Sequence, residues 1–463
     1  MRRLDGLSAF FVYSDKPRCY QHTLKVAILE GRDATGATAY EDIVEAFGKS
    51  VAAVPMLRWK LARVPFGLNH PVWVPAEDFD VRYHVRHVTC PAPGDERAFC
   101  ELVSQLYAYP MDKSCPLWLS WVVDGLEGGR SAVITLLHHA CTDGAGAARL
   151  LQRMLSPGTE GPFPIAQLAP GPAPGKLRLL ARGLLDLPLL FLREGPAIVR
   201  GSLTLRRVRK EIQAEGGALP PSPTDAPDSP FNTTLSHRRS FVYKGFVLEE
   251  IKSISRQLGV TINDLFIAVC AGACRRFLQE SPSGVPERAL IGSIPISQRP
   301  PPELDDLVGN QVYNSYVQVP VHLSGPAQRL EAVYEATRTM KAYVARSKGL
   351  GLTKMLDLMP PLFAHATGLL VEHTKGKVNL GGNLVLSNVA GPRVPLRMLD
   401  STVVNWLSIG QVSGGLALNT TAWSYADKFN ICLMADAKVV PDGWVLIDYI
   451  ADEIAAFRKL AET

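Results

Sequence analysis

Two stretches rich in proline and glycine interrupt the chain and limit how its hydrophobic residues can be combined into cores. They cover residues 157–175 and 214–230, and the second holds five prolines between Pro220 and Pro230. Such composition is typical of linkers. Because 463 residues with 47% hydrophobic content suffice for two cores, the sequence predicts one domain over 1–156 and a second over 235–463. Residues 157–234 would connect them.

Hydrophobic periodicity predicts helices and strands in both halves, and hence an α/β (α+β) fold class. The helices are predicted over Tyr40–Phe47, Glu96–Tyr107, Glu249–Leu258, Ile262–Leu278 and Trp444–Ala461. The strands are predicted over Gln21–Leu29, Leu117–Val123, Ala132–Leu137, Ser240–Phe246, Leu290–Ile296, Gln311–Val319, Leu384–Ser387, Gly415–Trp423 and Phe429–Ala435. The similar order of elements in the two halves indicates a duplicated fold.

Cysteine usage and missing motifs exclude several classes of protein. The eight cysteines are scattered in apolar sequence without a secretory signal before them, which favours reduced thiols and a cytoplasmic protein. No HExxH, paired CxxC, P-loop, strand-linked GxGxxG or GxSxG motif is present. We therefore expect no metal, no bound cofactor and no nucleic-acid partner.

The polar segment from His138 to Gly144 follows directly on the apolar strand Ala132–Leu137. Neighbouring side chains on an extended segment point to opposite faces, so only one of His138 and His139 can face a given cavity. A neutral imidazole there could act as a general base in attack on an acyl group. Asp143 could fix the loop or pair with a cation, and Gly144 leaves room for a ligand. On these residues alone, a structural role for the histidine pair stays open.

Residues 176–210 combine leucine clusters with a strong positive charge. Nine basic residues face only Asp186 and Glu194, a local balance of +7, while the rest of the chain carries −2. Asp186 and Pro188 interrupt the apolar run, which argues against a spanning helix. Two interpretations remain open, and they are compatible: a segment lying on an anionic lipid surface, or an inter-domain helix whose leucines pack on the core.

Further motifs along the whole chain resemble the bacterial wax ester synthase/diacylglycerol acyltransferase family, within the wider group of CoA-dependent acyltransferases and condensation domains. The wider group is indicated by the HHxxxDG pattern from His138 to Gly144. The narrower family is indicated by further matches in family order: Trp73, Phe79-Asp80, His84-Val85-Arg86, 111–118, Phe231-Asn232, Arg238-Arg239, Asn263-Asp264, 295–299, Gly309-Asn310, 387–392, Leu418-Asn419 and Ser424-Tyr425.

The resemblance implies two chloramphenicol-acetyltransferase-like domains with a substrate tunnel at their interface. It implies that His139 is the general base that deprotonates an acceptor hydroxyl. Asp143 would hold the loop, with Arg299 as the candidate partner. Gly144 would keep the tunnel open beside the base, and His138 would complete the motif.

Other motif residues receive expectations from the same resemblance. Pro116, Leu117 and Trp118 would shape the fold or the tunnel wall. Asn263 and Asp264 match the ND motif, and Asn263 could cap a helix instead. Asn263, Asn388 or a backbone N–H could stabilise the oxyanion. Residues 387–392 would form a turn at the domain interface.

The implied activity is transfer of a long-chain acyl group from acyl-CoA, as co-substrate, to diacylglycerol to give triacylglycerol. Long-chain alcohols, giving wax esters, would be accepted in the same site. The basic leucine-rich segment would attach a cytoplasmic enzyme peripherally to a membrane or lipid droplet. Two alternatives remain: acylation of another lipid or polyketide-like alcohol, and binding of acyl chains or coenzyme A without turnover.

Overall fold

The computed structural model describes residues 1–31, 40–155, 168, 174–300, 307–347, 355–359, 361 and 381–463, so most of the predicted linker 157–175 lies outside the described residues. The helices are α1 (Gly6–Ser14), α2 (Tyr40–Ala53), α3 (Val81–His84), α4 (Glu96–Tyr107), α5 (Gly144–Leu155), α6 (Lys176–Ala214), α7 (Leu248–Gln257), α8 (Ile262–Gln279), α9 (Pro326–Ser347), α10 (Met355–Leu358) and α11 (Gly443–Ala461). The strands are β1 (Arg2–Arg3), β2 (His22–Leu29), β3 (Trp59–Ala62), β4 (Val72–Pro75), β5 (Val85–Thr89), β6 (Trp118–Asp124), β7 (Ser131–His138), β8 (Arg239–Val247), β9 (Leu290–Ser297), β10 (Val312–Val319), β11 (Leu384–Ala390), β12 (Arg397–Met398), β13 (Ser401–Ile409), β14 (Leu418–Tyr425) and β15 (Lys428–Asp436).

Two mixed six-stranded sheets form the framework, so the predicted α/β class is confirmed. The first has the strand order β12-β13-β2-β7-β6-β5 and the second β10-β9-β11-β14-β15-β8. Every residue of β2 and β7 is buried, which explains the apolar run Ala132–Leu137 within β7. A small sheet, β1-β4-β3, lies beside the first.

Strand β13 crosses between the halves of the chain. The sequence placed residues 401–409 in the second domain, but β13 pairs antiparallel with β2 and so belongs to the first sheet. Its Trp406 and the second-sheet residue Trp423 also join the core of the first domain. The two domains therefore share strands and core. Periodicity can show that a segment is extended, but it does not reveal which sheet takes it.

The second sheet is covered by α8, α9 and α11, whose apolar faces form a separate core. Its strand β11 corrects one expectation, because residues 384–390 are extended and run parallel to β14, where a turn was predicted from residue 387. Only the residues after Ala390 leave the sheet.

Helix α6 contains the whole basic segment 176–210 and leaves much of it exposed. Leu179, Val208 and Ile212 are buried against the protein. Most of the exposed apolar residues recur at a spacing of seven residues or twice that, and are Leu177 with Leu184, Leu185 with Leu192 and Val199, and Leu189 with Leu203; Phe191 is exposed as well. Residues seven apart lie on one side of a helix, so α6 presents a continuous apolar face to solvent.

Candidate active site

The histidine pair sits where the central strand β7 of the first sheet ends. The His138 amide donates to the Leu117 carbonyl (3.0 Å) and the His139 amide to the Gln21 carbonyl (2.8 Å). His138 stands opposite His22 in the register of β2 and β7. Because side chains alternate, His139 lies on the opposite face from His138. One imidazole of the pair is thus placed behind the other, as the sequence predicted.

His138 accepts a hydrogen bond at one ring nitrogen and faces a carboxylate at the other. Its Nδ1 accepts from the Ala140 amide (2.9 Å), so the proton belongs on Nε2, which lies 3.3 Å from Asp15 Oδ2. Burial alone would raise the pKa of Asp15, but His138 and Lys113 lower it, and the Lys113 ammonium lies 3.1 Å away. These contacts fix the tautomer of His138 and the turn that follows it.

His139 is buried, and its ring nitrogens lack hydrogen bonds of good geometry within the described part of the chain. The Gln411 side chain lies close enough to the imidazole to raise its pKa in part. The Phe11 ring of α1 stacks on the imidazole at 4.9 Å between centroids, with a 29° angle between planes. Burial, reinforced by the charges of His138 and Lys25, lowers the pKa of His139 to about 4. The imidazole is therefore neutral at pH 7 and able to take a proton.

A buried ion pair joins the histidine loop to the second half of the chain. Asp143 Oδ1 accepts from Arg299 Nε (2.8 Å), and both side chains are at most 2% exposed. Arg299 Nη2 also donates to Thr142 Oγ1 and to the Gly309 carbonyl, both at 2.6 Å. The predicted partner of Asp143 is thus present. We call this set of contacts the Asp143–Arg299 clasp.

Two glycines on α5 have different surroundings. A Cβ on Gly144 would meet no atom of the described residues within 4 Å, so there is open space at this position. A Cβ on Gly146 would lie 2.0 Å from Thr142 Oγ1 and 2.6 Å from the Arg299 guanidinium carbon. Gly146 also donates its amide to Asp143 Oδ1 (2.9 Å). Only glycine at 146 lets the clasp close.

The Pro116-Leu117-Trp118 segment supports the loop through packing and main-chain bonds. Leu117 and Trp118 are buried, and the Leu117 carbonyl receives the His138 amide. Pro116 precedes β6, and its carbonyl accepts from the Trp118 amide (2.9 Å). The Trp118 indole donates to the Leu57 carbonyl (2.8 Å) and stacks on His84. The indole N–H is therefore used within the core.

The structure does not bring the ND motif to the histidine loop. The residue that caps α8 is Thr261, so the predicted Asn263 cap is wrong. The Thr261 hydroxyl accepts from the Asp264 amide, and the Asp264 carboxylate accepts from the Thr261 amide. Asp264 is fully buried and accepts from Thr337 Oγ1 of α9 (2.7 Å). The motif therefore joins two helices of the second domain. Asn388 lies exposed on β11, opposite Ala422.

Sequence reasoning missed three residues around the site. Phe11 and Asp15 come from α1 and its end, and Gly146 lies just past the motif. Asn310, part of the Gly309-Asn310 match, donates to the His139 carbonyl. Two patterns in the sequence could have indicated two of the missed residues. Asp15 follows Ser14 at the end of a helix, and Gly146 is a second glycine shortly after Asp143-Gly144. Cys141 is a packing residue, because burial raises the pKa of its thiol to about 12. No group of three potential metal ligands occurs among the described residues.

Comparison with known proteins gives two family matches. Residues 4–266 match the wax ester synthase/diacylglycerol acyltransferase catalytic domain and residues 308–458 match the C-terminal domain of the same family. A Mycobacterium tuberculosis protein named as a diacylglycerol O-acyltransferase is 37% identical over 450 residues, covering 96% of this chain and 95% of the relative. A Mycobacterium bovis protein of the same name is 30% identical, with 94% and 93% covered.

Solved structures of the same architecture support the fold. A wax ester synthase/diacylglycerol acyltransferase from Marinobacter aquaeolei aligns over 100% of both chains, with a TM-score of 0.70 and 22% identity. The first condensation domain of the calcium-dependent antibiotic synthetase aligns over 100% of this chain and 97% of its own, with a TM-score of 0.59 and 14% identity.

Proposed function

The chain belongs to the wax ester synthase/diacylglycerol acyltransferase family and is an acyltransferase, and from that premise we propose that it moves a long-chain acyl group from acyl-CoA to diacylglycerol, and also to long-chain alcohols, with His139 as general base. One observation carries the proposal. His139 is a neutral, buried imidazole whose nitrogens have no hydrogen bond of good geometry among the described residues, and it is fixed in place by Phe11 and by the loop that the clasp holds. Such an imidazole can accept a hydroxyl proton.

The proposed reaction follows from that position. His139 takes the proton of the acceptor hydroxyl while the hydroxyl oxygen bonds to the thioester carbonyl carbon. The carbon–sulfur bond then breaks, the ester remains, and the thiolate of coenzyme A takes the proton back from the imidazolium. Acyl-CoA is a co-substrate that is consumed, and the mechanism needs no resident cofactor. Burial of the imidazole favours attack by the alcohol because it limits access of water.

The test is an acyl-transfer assay on purified protein. Palmitoyl-CoA would be offered with dioleoylglycerol, hexadecanol or a sterol, with free thiol and lipid product both measured. We expect triacylglycerol and wax ester to form. In His139→Ala the rate should fall roughly 10²- to 10⁴-fold, because the base is lost.

The matched control is His87→Ala, which removes an exposed imidazole from β5. It should transfer acyl groups like the wild type. A folded His139→Ala protein with full activity would exclude His139 as the base. Absence of thiol release with every acceptor would favour the alternative of binding without turnover, and transfer to none of the three but to another alcohol would favour a different acceptor.

We further propose that α6 attaches the enzyme to an anionic lipid surface. Its exposed face carries leucines at 55–83% exposure, and Arg193, Arg200 and Arg207 recur at seven-residue spacing directly beside it. Leucines insert among acyl chains while flanking arginines contact lipid phosphates. Among the described helices none is long and apolar enough on its own to cross a bilayer; α7 and α8 would satisfy that criterion only together, across a 94° bend.

Liposome co-sedimentation tests this attachment. Replacing both Leu185 and Leu192 by Glu should reduce binding to phosphatidylglycerol-containing vesicles about a hundredfold or more, because each buried leucine contributes about 1.5–3 kcal/mol. Both side chains are exposed, so the fold should be unaffected. Val247→Glu places the same charge at an exposed apolar position outside α6 and serves as control. Equal binding by wild type and double variant would show that α6 is not the contact.

A further inference from the structure

Lys25 is a lysine buried in the middle of β2, on the face of the first sheet that also carries His139. It is 2% exposed. The His139 amide bonds to Gln21, and side chains alternate along β2, so Gln21, Thr23 and Lys25 share the face toward which His139 projects. The charges agree with this placement, since Lys25 lowers the pKa of His139.

The Lys25 amine lies among hydroxyls and an aromatic ring. Its Nζ donates to Thr23 Oγ1 (3.3 Å) and to Ser408 Oγ on the neighbouring β13, and it lies 5.3 Å from the centre of the Trp423 ring. Among the described residues no carboxylate pairs with it. Burial lowers its pKa to about 7, although Asp143 and Cys432 partly offset the effect.

This region has more hydrogen-bond donors than acceptors. In its protonated form, which predominates below pH 7, the Lys25 amine carries three N–H groups, and two of them have partners among the described residues. The Thr23 hydroxyl uses its own proton on the Ile409 carbonyl (3.2 Å). The Trp423 indole N–H is buried and has no partner within the described chain. Buried donors without acceptors are rare in native proteins, so the missing acceptor is expected to come from a bound molecule.

We propose that Lys25 determines acceptor specificity by donating to an ester carbonyl of a glycerolipid, next to the hydroxyl that His139 deprotonates. This inference rests on the proposed acyl transfer to diacylglycerol. Thr23, which holds the amine, stands opposite Leu137, two residues before His139 and so roughly 7 Å along the strand. At this separation the Lys25 amine is too far from His139 to contact the carbonyl that reacts. The separation suits a second ester carbonyl a few bonds from the free hydroxyl, which diacylglycerol has and a fatty alcohol lacks.

The test compares two acceptors that differ only in their carbonyl oxygens. Dioleoylglycerol and the matching dioleyl diether glycerol would be assayed with palmitoyl-CoA, alongside hexadecanol, for wild type and Lys25→Met. Methionine keeps the length of the side chain but removes the donor. At pH 6, where the Lys25 amine is mostly protonated and His139 is still neutral, we expect the wild type to prefer the ester over the ether by about tenfold or more, as one lost bond to a charged donor implies. In Lys25→Met the ratio should fall to near one while transfer to hexadecanol persists.

Lys459→Met makes the same chemical change on an exposed face of α11 and should keep the wild-type ratio. Equal use of ester and ether by the wild type would overturn the inference, and this measurement does not depend on the folding of any variant. An unchanged ratio in folded Lys25→Met would also overturn it. Lack of transfer to all three acceptors would instead overturn the proposed function.

Discussion

Breaking the Asp143–Arg299 clasp should destabilise the protein and displace the catalytic loop together. The perturbation is Arg299→Met, which removes the bonds to Asp143, Thr142 and Gly309. It leaves the Asp143 carboxyl group buried without the guanidinium. Removing one partner of a buried ion pair typically costs 3–5 kcal/mol. Asp143 still accepts from the amides of Gly146 and Gln311, both at 2.9 Å, so we expect about 3 kcal/mol.

Urea denaturation would give the change in the free energy of unfolding, and the acyl-transfer assay would give kcat/KM. Asp143→Asn should be similarly destabilised, because it leaves the guanidinium without a counter-ion. The double variant should lose less than the sum of the two single variants, by about 0.5–3 kcal/mol. Arg299→Lys should recover only part of the stability, since one ammonium lacks the fork that reaches both Asp143 and Gly309.

The surface pair Arg256–Glu249 provides the control, because both side chains are more than 60% exposed. Arg256→Met should cost less than 1 kcal/mol and leave activity intact. If Arg299→Met unfolds at the wild-type urea concentration and keeps its kcat/KM, the clasp does not hold the loop. Additive losses in the double variant would show that the two residues act independently.

Three further predictions concern the histidines and glycines of the site. With hexadecanol as acceptor, kcat/KM should stay constant from pH 7 down to about pH 5 and fall only toward pH 4, because the pKa of His139 is lowered to about 4; a fall centred near pH 6.5 in a pH–rate profile would contradict this. Burial lowers the pKa of His22 to about 3 and those of His70 and His139 to about 4, so the unfolded chain takes up protons first as the pH drops below about 6.5. By pH 5 each of these three histidines should lower the free energy of unfolding by roughly 2 kcal/mol relative to pH 7. Equal urea midpoints at pH 7 and pH 5 would refute this expectation. Gly146→Ala should destabilise the fold and reduce activity because its Cβ meets Thr142 and Arg299, whereas Gly144→Ala should be tolerated; thermal melts showing the reverse order would exclude the assigned roles.

The sequence identified the parts of the site that are local, and it missed those that arise from distant contacts. The strand before His138 and the opposite faces of the two histidines follow from alternation, which needs only neighbouring residues. The partner Arg299 came from the family resemblance, and the structure confirms the pairing. The contact of Phe11 with His139 could not be predicted, because the two residues are 128 positions apart and an apolar helix gives no indication of its packing partner.

Local rules also misled where tertiary contacts prevail. Asn263 has the right chemistry for a helix cap, but Thr261 two residues earlier takes that place because Asp264 completes the reciprocal pair. The small residues after Ser387 are typical of a turn, yet pairing with β14 keeps the chain extended to Ala390. Lys25 lies in an apolar strand, and its burial was visible only once β13 had been placed beside it.

The pairing of β13 with β2 determines when the first sheet can be completed during synthesis of the chain. Strand β2 ends at residue 29, but the strand that covers its edge leaves the ribosome only after residue 409 of 463 has been made. Until then β2 offers unpaired backbone groups, the kind of edge that recruits other chains. The first half, released alone, would therefore be prone to association, and expression of residues 1–234 in isolation would not yield a finished domain.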